Sequence, residues 1–208
     1  SKALFHGVRL HNQRVMDVLS ETTTAMSEGE VLQLMQVQNP DMTEADYYRI
    51  VECKTGVLIT AACRLGAVIS KAPLSQEDAL AAYGRKLGMA FQITDDTLDY
   101  AADQSRLGKT LGKDLEEGKV TLPLIKLLQR AEPAEQEALR AILSADALQE
   151  QDLAYTLALM EKHGAVSDAL RVAQAFSEEA KAALAIFPDS RHRQALLALA
   201  DFVVQREM

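Results

Sequence analysis

Four aspartates and several lysines are spaced so that they could act together on one anionic ligand through a metal ion. The densest group is Phe91-Gln92-Ile93-Thr94-Asp95-Asp96-Thr97-Leu98-Asp99-Tyr100. At about 100° per residue, Gln92, Asp95, Asp96 and Asp99 share roughly 100° of helix arc. Leu87, Ala90, Phe91, Thr94, Leu98 and Ala101 form the neighbouring, mainly apolar stripe. Gly88 lies on the acidic edge one turn earlier, where open room is expected. Like charges at this spacing repel by roughly 0.2–0.5 kcal/mol per exposed pair. A hard divalent cation offsets that repulsion. Mg²⁺ takes one or two protein carboxylates and completes its shell with water and phosphate oxygens. A bare DDxxD is as well explained by a solvated acidic face. Here the acids interrupt an otherwise apolar helix, which favours the cation.

The residues that follow strengthen this reading. Lys109, Lys113, Asp114 and Lys119 alternate with Gly108, Gly112 and Gly118. Glycine lets backbone approach a ligand closely, and lysine is a compact charge suited to phosphate oxygens. Carboxylates, Mg²⁺, lysines and a diphosphate make a balanced set of charges. Upstream, Lys54-Thr55 sits in the apolar frame Ile50 to Ile59, where the lysine either snorkels to the surface or points into a polar cavity. Gln33 stands among apolar neighbours in Gly29-Glu30-Val31-Leu32-Gln33-Leu34, facing the same cavity or the core edge. The four histidines show no ligand spacing, and Cys53 and Cys63 show neither zinc nor CxxC spacing. No Gly-rich nucleotide fingerprint is present.

These residues need long helices to hold them. The 208 residues are 48% hydrophobic and 25% charged, so the chain is globular and large enough for one substantial core. Twenty-two basic against thirty acidic residues argue against nucleic acid as a partner. No run of 18 apolar residues predicts a membrane span, and the cysteine usage suggests a reduced, cytoplasmic setting. Period-two β-branched runs are absent and helix formers dominate, so the fold class is all-α, a large helical bundle around a central cavity. A first helix is expected over roughly residues 4–37, ended by Asn39-Pro40-Asp41. A second, capped by Thr43 with an acidic first turn, should run from about 44 to 70. Lys71-Ala72-Pro73 ends it, and Ser75 with Asp78 should cap a third over about 76–102. Shorter amphipathic helices follow, punctuated by Pro133, Gly164 and Pro188.

In this order the motifs Gly29 to Leu34, Lys54-Thr55, Phe91-Gln92, Asp95 to Asp99, Gly108-Lys109, and Asp114 to Lys119 with Thr121-Leu122-Pro123-Leu124 resemble the all-α trans-isoprenyl diphosphate synthases, and within them the long-chain (octaprenyl) branch. The resemblance implies condensation of isopentenyl diphosphate with an allylic diphosphate, head to tail, with Mg²⁺ as cofactor. It implies Asp95, Asp96 and Asp99 as the second Asp-rich metal motif, Asp95 in direct contact and Asp114 acting through water. Lys54, Lys109 and Lys119 would hold the allylic diphosphate, Thr55 and Gln92 would flank the cation and diphosphate, and Gln33 would line the same site. Homodimers are usual in such families. The family's first Asp-rich motif and isopentenyl diphosphate pocket are absent from these residues. With Ser1 opening what reads as a helix, upstream sequence is expected, and the 208 residues alone are expected not to elongate a chain. The alternative is a non-catalytic partner subunit of a heteromeric synthase, which would have little need for the intact Lys54, Gln92, Asp95 and Lys109 set.

Overall fold

The computed structural model describes residues 2–101, 111–145 and 147–206. Among these the fold is all-α, with no strand. The elements are α1 (Lys2–Arg9), α2 (Gln13–Met35), α3 (Glu44–Val51), a π-helical segment (Glu52–Gly56), α4 (Val57–Ile69), α5 (Leu74–Ala101), α6 (Lys113–Glu116), α7 (Leu122–Arg130), α8 (Pro133–Leu143), α9 (Glu150–His163), α10 (Ala165–Ala183), a short 3₁₀ turn (Leu184–Ile186) and α11 (Arg191–Gln205).

Helix α5 is the axis of the bundle. Tyr83, Ala90, Ile93 and Thr97 on it are fully buried. One flank packs on α10, whose Ala165, Ala169, Ala173 and Ala180 are equally buried and let the two helices approach closely. The other flank packs on α4 and the π segment. Tyr83 Oη donates to the Leu196 carbonyl at 2.8 Å, tying α5 to α11. The buried Glu77 carboxylate takes Arg14 of α2 at 2.6 and 2.8 Å and Arg64 of α4 at 2.9 Å, so three helices share one compensated charge.

The expected boundaries hold in part. Thr43 caps α3 in a reciprocal box with Asp46, as its sequence suggests. The helix expected over 4–37 is two helices. His11 takes a left-handed conformation (φ 47°), and the Asn12 side chain accepts the Arg14 N–H at 3.0 Å, capping α2. Ser75 does not cap α5. The helix already starts at Leu74, with the Pro73 carbonyl accepting from Gln76 and Glu77. The stretch from 44 to 69 is helical throughout, but its middle turn is π rather than α.

That π turn is gripped by glycines on two sides. A Cβ on Gly29 of α2 would lie 2.9 Å from the Lys54 backbone nitrogen. A Cβ on Gly88 of α5 would lie 2.7 Å from the Gly56 Cα. The open room expected at Gly88 is therefore filled by backbone: the glycine serves helix contact, not ligand access.

Candidate functional site

Where α2, α3, the π segment, α5 and the strap 112–121 meet, a cavity of about 90 Å³ opens between the side chains. One wall is polar, with Gln33, Lys54, Thr55, Gln92, Asp96, Asp114 and Lys119. The rest of the lining includes apolar side chains, Val37, Met42, Ile50, Val51 and Val120. The π turn explains how Lys54 and Thr55 reach it. A π-bulge adds a residue to one turn and re-aims the side chains on it, which is why such turns recur at functional sites. Lys54 Nζ donates to Gln33 Oε1 and lies 3.3 Å from Glu30. Of the two readings of Lys54, the cavity is therefore the observed one, and Gln33 shares it.

The strap is fixed by its own sequence. Gly112 (φ 73°) and Gly118 (φ 70°) are left-handed, and the Gly112 N–H reaches the Asp99 carbonyl at 2.9 Å. The Asp99 carboxylate accepts the backbone N–H groups of Lys113 and Asp114 at 3.2 and 2.9 Å, which holds the start of α6 against the end of α5. Lys119 Nζ pairs with Asp114 at 3.3 Å and Glu117 at 2.5 Å. Lys109 lies outside the described residues.

The three acids of the DDxxD stripe occupy different surroundings. Asp96 is buried. Tyr47 Oη donates to its Oδ2 at 2.6 Å and Gln92 Nε2 to its Oδ1 at 2.7 Å, while Thr55 Oγ1 donates to Gln92 Oε1 at 2.8 Å. Burial pushes the Asp96 carboxyl up to about 7, with the charge of Asp114 adding to it and the two donors opposing. Asp99 and Asp114 are pushed up too, first by burial; for Asp114 the charge of Asp99 comes next. Lys119 is pushed up by Glu117 and Asp114 in spite of burial. Asp95 is half exposed on the outer edge of α5, 3.4 Å from Arg206 Nη2. Asp95 and Asp99 are thus not among the cavity's lining residues.

The donor set fits a hard cation that arrives with an anionic ligand. Among the described residues no three acidic, histidine or cysteine side chains converge into a ready-made cage. A cation sharing its shell with phosphate oxygens would draw these raised carboxyls back to the ionised form in which they ligate, and the two lysines beside them suit the phosphates.

Two functional-looking residues escaped the sequence reading. Tyr47 reads as a core aromatic at helical spacing, and nothing local marks its hydroxyl. Arg206 stands 111 residues from Asp95, yet its guanidinium lies 4.1 Å from the Phe91 ring centroid and donates to the Phe91 carbonyl at 3.0 Å.

The sequence model of the Polyprenyl synthetase family matches residues 1–160. The chain belongs to the polyprenyl synthetase family. It is similar to the octaprenyl diphosphate synthase of Escherichia coli, with 38% identity over 198 residues, which cover 95% of this chain and 61% of that protein. Among solved structures it is similar to a decaprenyl diphosphate synthase from Rhodobacter capsulatus, at TM-score 0.90 and 40% identity, covering 97% of this chain and 62% of that one. It is also similar to a polyprenyl synthase from Caulobacter crescentus complexed with calcium and isoprenyl diphosphate, at TM-score 0.91 and 37% identity, covering 97% and 61%. The chain thus spans about three-fifths of these polyprenyl synthetase relatives. Among the described residues no helix is long and apolar enough to cross a membrane.

Proposed function

We propose that this chain is the larger part of a Mg²⁺-dependent prenyltransferase that joins isopentenyl diphosphate to an allylic diphosphate, head to tail, and makes a long-chain all-trans polyprenyl diphosphate. One observation carries the reading: Lys54, Thr55, Gln92, Asp114 and Lys119, drawn from three separate segments, line one cavity together with apolar residues. Such a cavity suits a ligand with a doubly phosphorylated head and a hydrocarbon tail.

In this reading Lys54 and Lys119, with Lys109, bind the allylic diphosphate and take up charge as the allylic C–O bond breaks. Thr55 and Gln92 stand beside the carbon that becomes positive. The isopentenyl double bond forms the new C–C bond and a proton leaves. Mg²⁺ supplies charge stabilisation of the departing diphosphate. Asp95, Asp96, Asp99 and Asp114 would hold it, Asp95 directly and Asp114 through water; both oxygens of Asp96 and of Asp99 already accept neutral donors, which leaves Asp95 the most open of the stripe. The apolar side chains of Met42, Ile50 and Val51 shield the reacting group from water. The isopentenyl diphosphate pocket and a second metal motif would come from sequence upstream of these residues, and the working form would be a cytoplasmic homodimer.

The test is incubation of the full-length protein with farnesyl diphosphate, radiolabelled isopentenyl diphosphate and Mg²⁺, with product length read by chromatography. Long polyprenyl products that vanish with a chelator are expected. No elongation would refute the activity, and products of only one or two added units would refute the long-chain assignment.

A further inference from the structure

The hydroxyl of Tyr47 has no part in the roles assigned above, yet it makes one of the shortest polar contacts in the cavity wall. Tyr47 is 3% exposed and lines the cavity, with its hydroxyl engaged by Asp96. Its ring packs edge-on against Tyr48 with centroids 5.7 Å apart, and its Oη donates to Asp96 Oδ2 at 2.6 Å. The remaining Asp96 oxygen takes the Gln92 amide at 2.7 Å. Both Asp96 oxygens accept in this geometry, one from Tyr47 Oη and one from Gln92 Nε2, so the NH₂ end of Gln92 faces Asp96. The Gln92 carbonyl oxygen is then left facing Thr55, and the Thr55 hydroxyl has to spend its single proton on it, at 2.8 Å. The order of donors is therefore set at Asp96, which Tyr47 holds in place at the other end.

We propose that Tyr47 is a positioning residue. Its hydroxyl anchors Asp96, Asp96 orients the Gln92 amide, and the amide turns Thr55 so that lone pairs rather than the O–H face the cavity. Resting on the prenyltransferase reading, this aims an electron-rich oxygen at the carbon that becomes positive when the allylic C–O bond breaks. A hydroxyl turned the other way would present its positive end to that carbon. Asp96 is here a hub for hydrogen bonds, and its place in the acidic stripe comes second to that task.

Tyr47→Phe in the full-length protein removes the donor and keeps the ring. We expect kcat to fall about tenfold, less than for loss of a donor that touches the reacting atoms, with KM for both diphosphates within about threefold of wild type. In the double variant with Thr55→Val the loss should be no greater than for Thr55→Val alone, because both act through one chain of contacts. Independently of turnover, the side-chain NH₂ signal of Gln92 in a ¹H–¹⁵N spectrum, assigned by its absence in Gln92→Glu, should shift and exchange with solvent faster in Tyr47→Phe. A wild-type kcat in Tyr47→Phe, a loss that multiplies fully with that of Thr55→Val, or an unmoved Gln92 signal would each overturn the proposal. If the wild-type protein elongates nothing, the activity assignment fails and the Gln92 signal alone decides the positioning role. Should Tyr47→Phe not fold, Asp96→Asn replaces it: the new amide donates towards Gln92, so an unmoved Gln92 signal there overturns the proposal as well.

Discussion

Asp95 and Asp96 are consecutive in sequence but lie on opposite sides of a working boundary. Asp96, on the inner face of α5, is buried and held by two fixed neutral donors at 2.6 and 2.7 Å. Asp95, on the outer edge, keeps 53% of its side chain exposed and is paired, among the described residues, with the long side chain of Arg206 at 3.4 Å. Arg206 is itself occupied with the Phe91 ring and carbonyl. One carboxylate belongs to a finished hydrogen-bonded array. The other has a weak, exchangeable partner, which is the condition a residue needs if it is to hand its oxygens to a metal. Burial, and not membership of the DDxxD pattern, decides what each aspartate can do.

This contrast can be broken from either side. The largest effect belongs to the outer edge. Asp95→Ala in the full-length protein should cut turnover roughly a thousandfold while thermal unfolding stays close to wild type, since the lost side chain buries little. Turnover near wild type would remove Asp95 from the metal site. On the inner face, pH is the lever. Folding raises the Asp96 carboxyl from its ordinary value to about 7. Between about pH 4 and 7 the native state thus holds a proton that the unfolded chain has released. Stability from this group is full below that window and falls as pH rises through it, by up to about 1.4 kcal/mol per unit. Urea unfolding at pH 5 and 7.5, without metal or diphosphate, should show a wild-type loss about 2–4 kcal/mol greater than in Asp96→Asn. Equal losses in the two proteins would mean that Asp96 is not desolvated.

Smaller effects test the supports of each face. Gly88→Ala drives a methyl group into the Gly56 backbone and should cost about 1–3 kcal/mol in chemical denaturation, with ligand binding through Lys54 and Thr55 weakened as well. Full tolerance would show that α5 and the π turn can separate freely. Arg206→Ala should cost only about 1 kcal/mol, because it removes one cation–π contact, one hydrogen bond to the Phe91 carbonyl and one half-exposed ion pair. A loss of several kcal/mol would mean that the outer edge is as firmly built as the inner face.

Much of this was open to reading before any coordinates. The Thr43 cap, the apolar stripe of α5 and the order of lysine, glutamine and aspartate motifs are local signals, and local signals survive folding. What escaped depends on contacts between distant segments. The break at His11 and Asn12 interrupts a pattern that stays compatible with a helix. Gly88 looked like space for a ligand because nothing in the chain announces that Gly56 will press against it. Tyr47 has the spacing of a core residue, and its hydroxyl gains meaning only through Asp96, 49 positions on. The acids of the stripe share one arc, but arc says nothing of burial, so their different surroundings were illegible.

The π turn at Glu52–Gly56 also has a genetic consequence. It is a segment with one residue more than an α-helix would need, held between two glycines. Loss of a single codon there would heal the turn into regular α-winding with the helix on either side kept in place, and the side chains on the turn itself, Lys54 and Thr55, would be re-aimed off the cavity. Substitutions on this turn can be graded in their effects, whereas an in-frame deletion is all or nothing. The length of the segment is therefore constrained alongside the identities of Lys54 and Thr55.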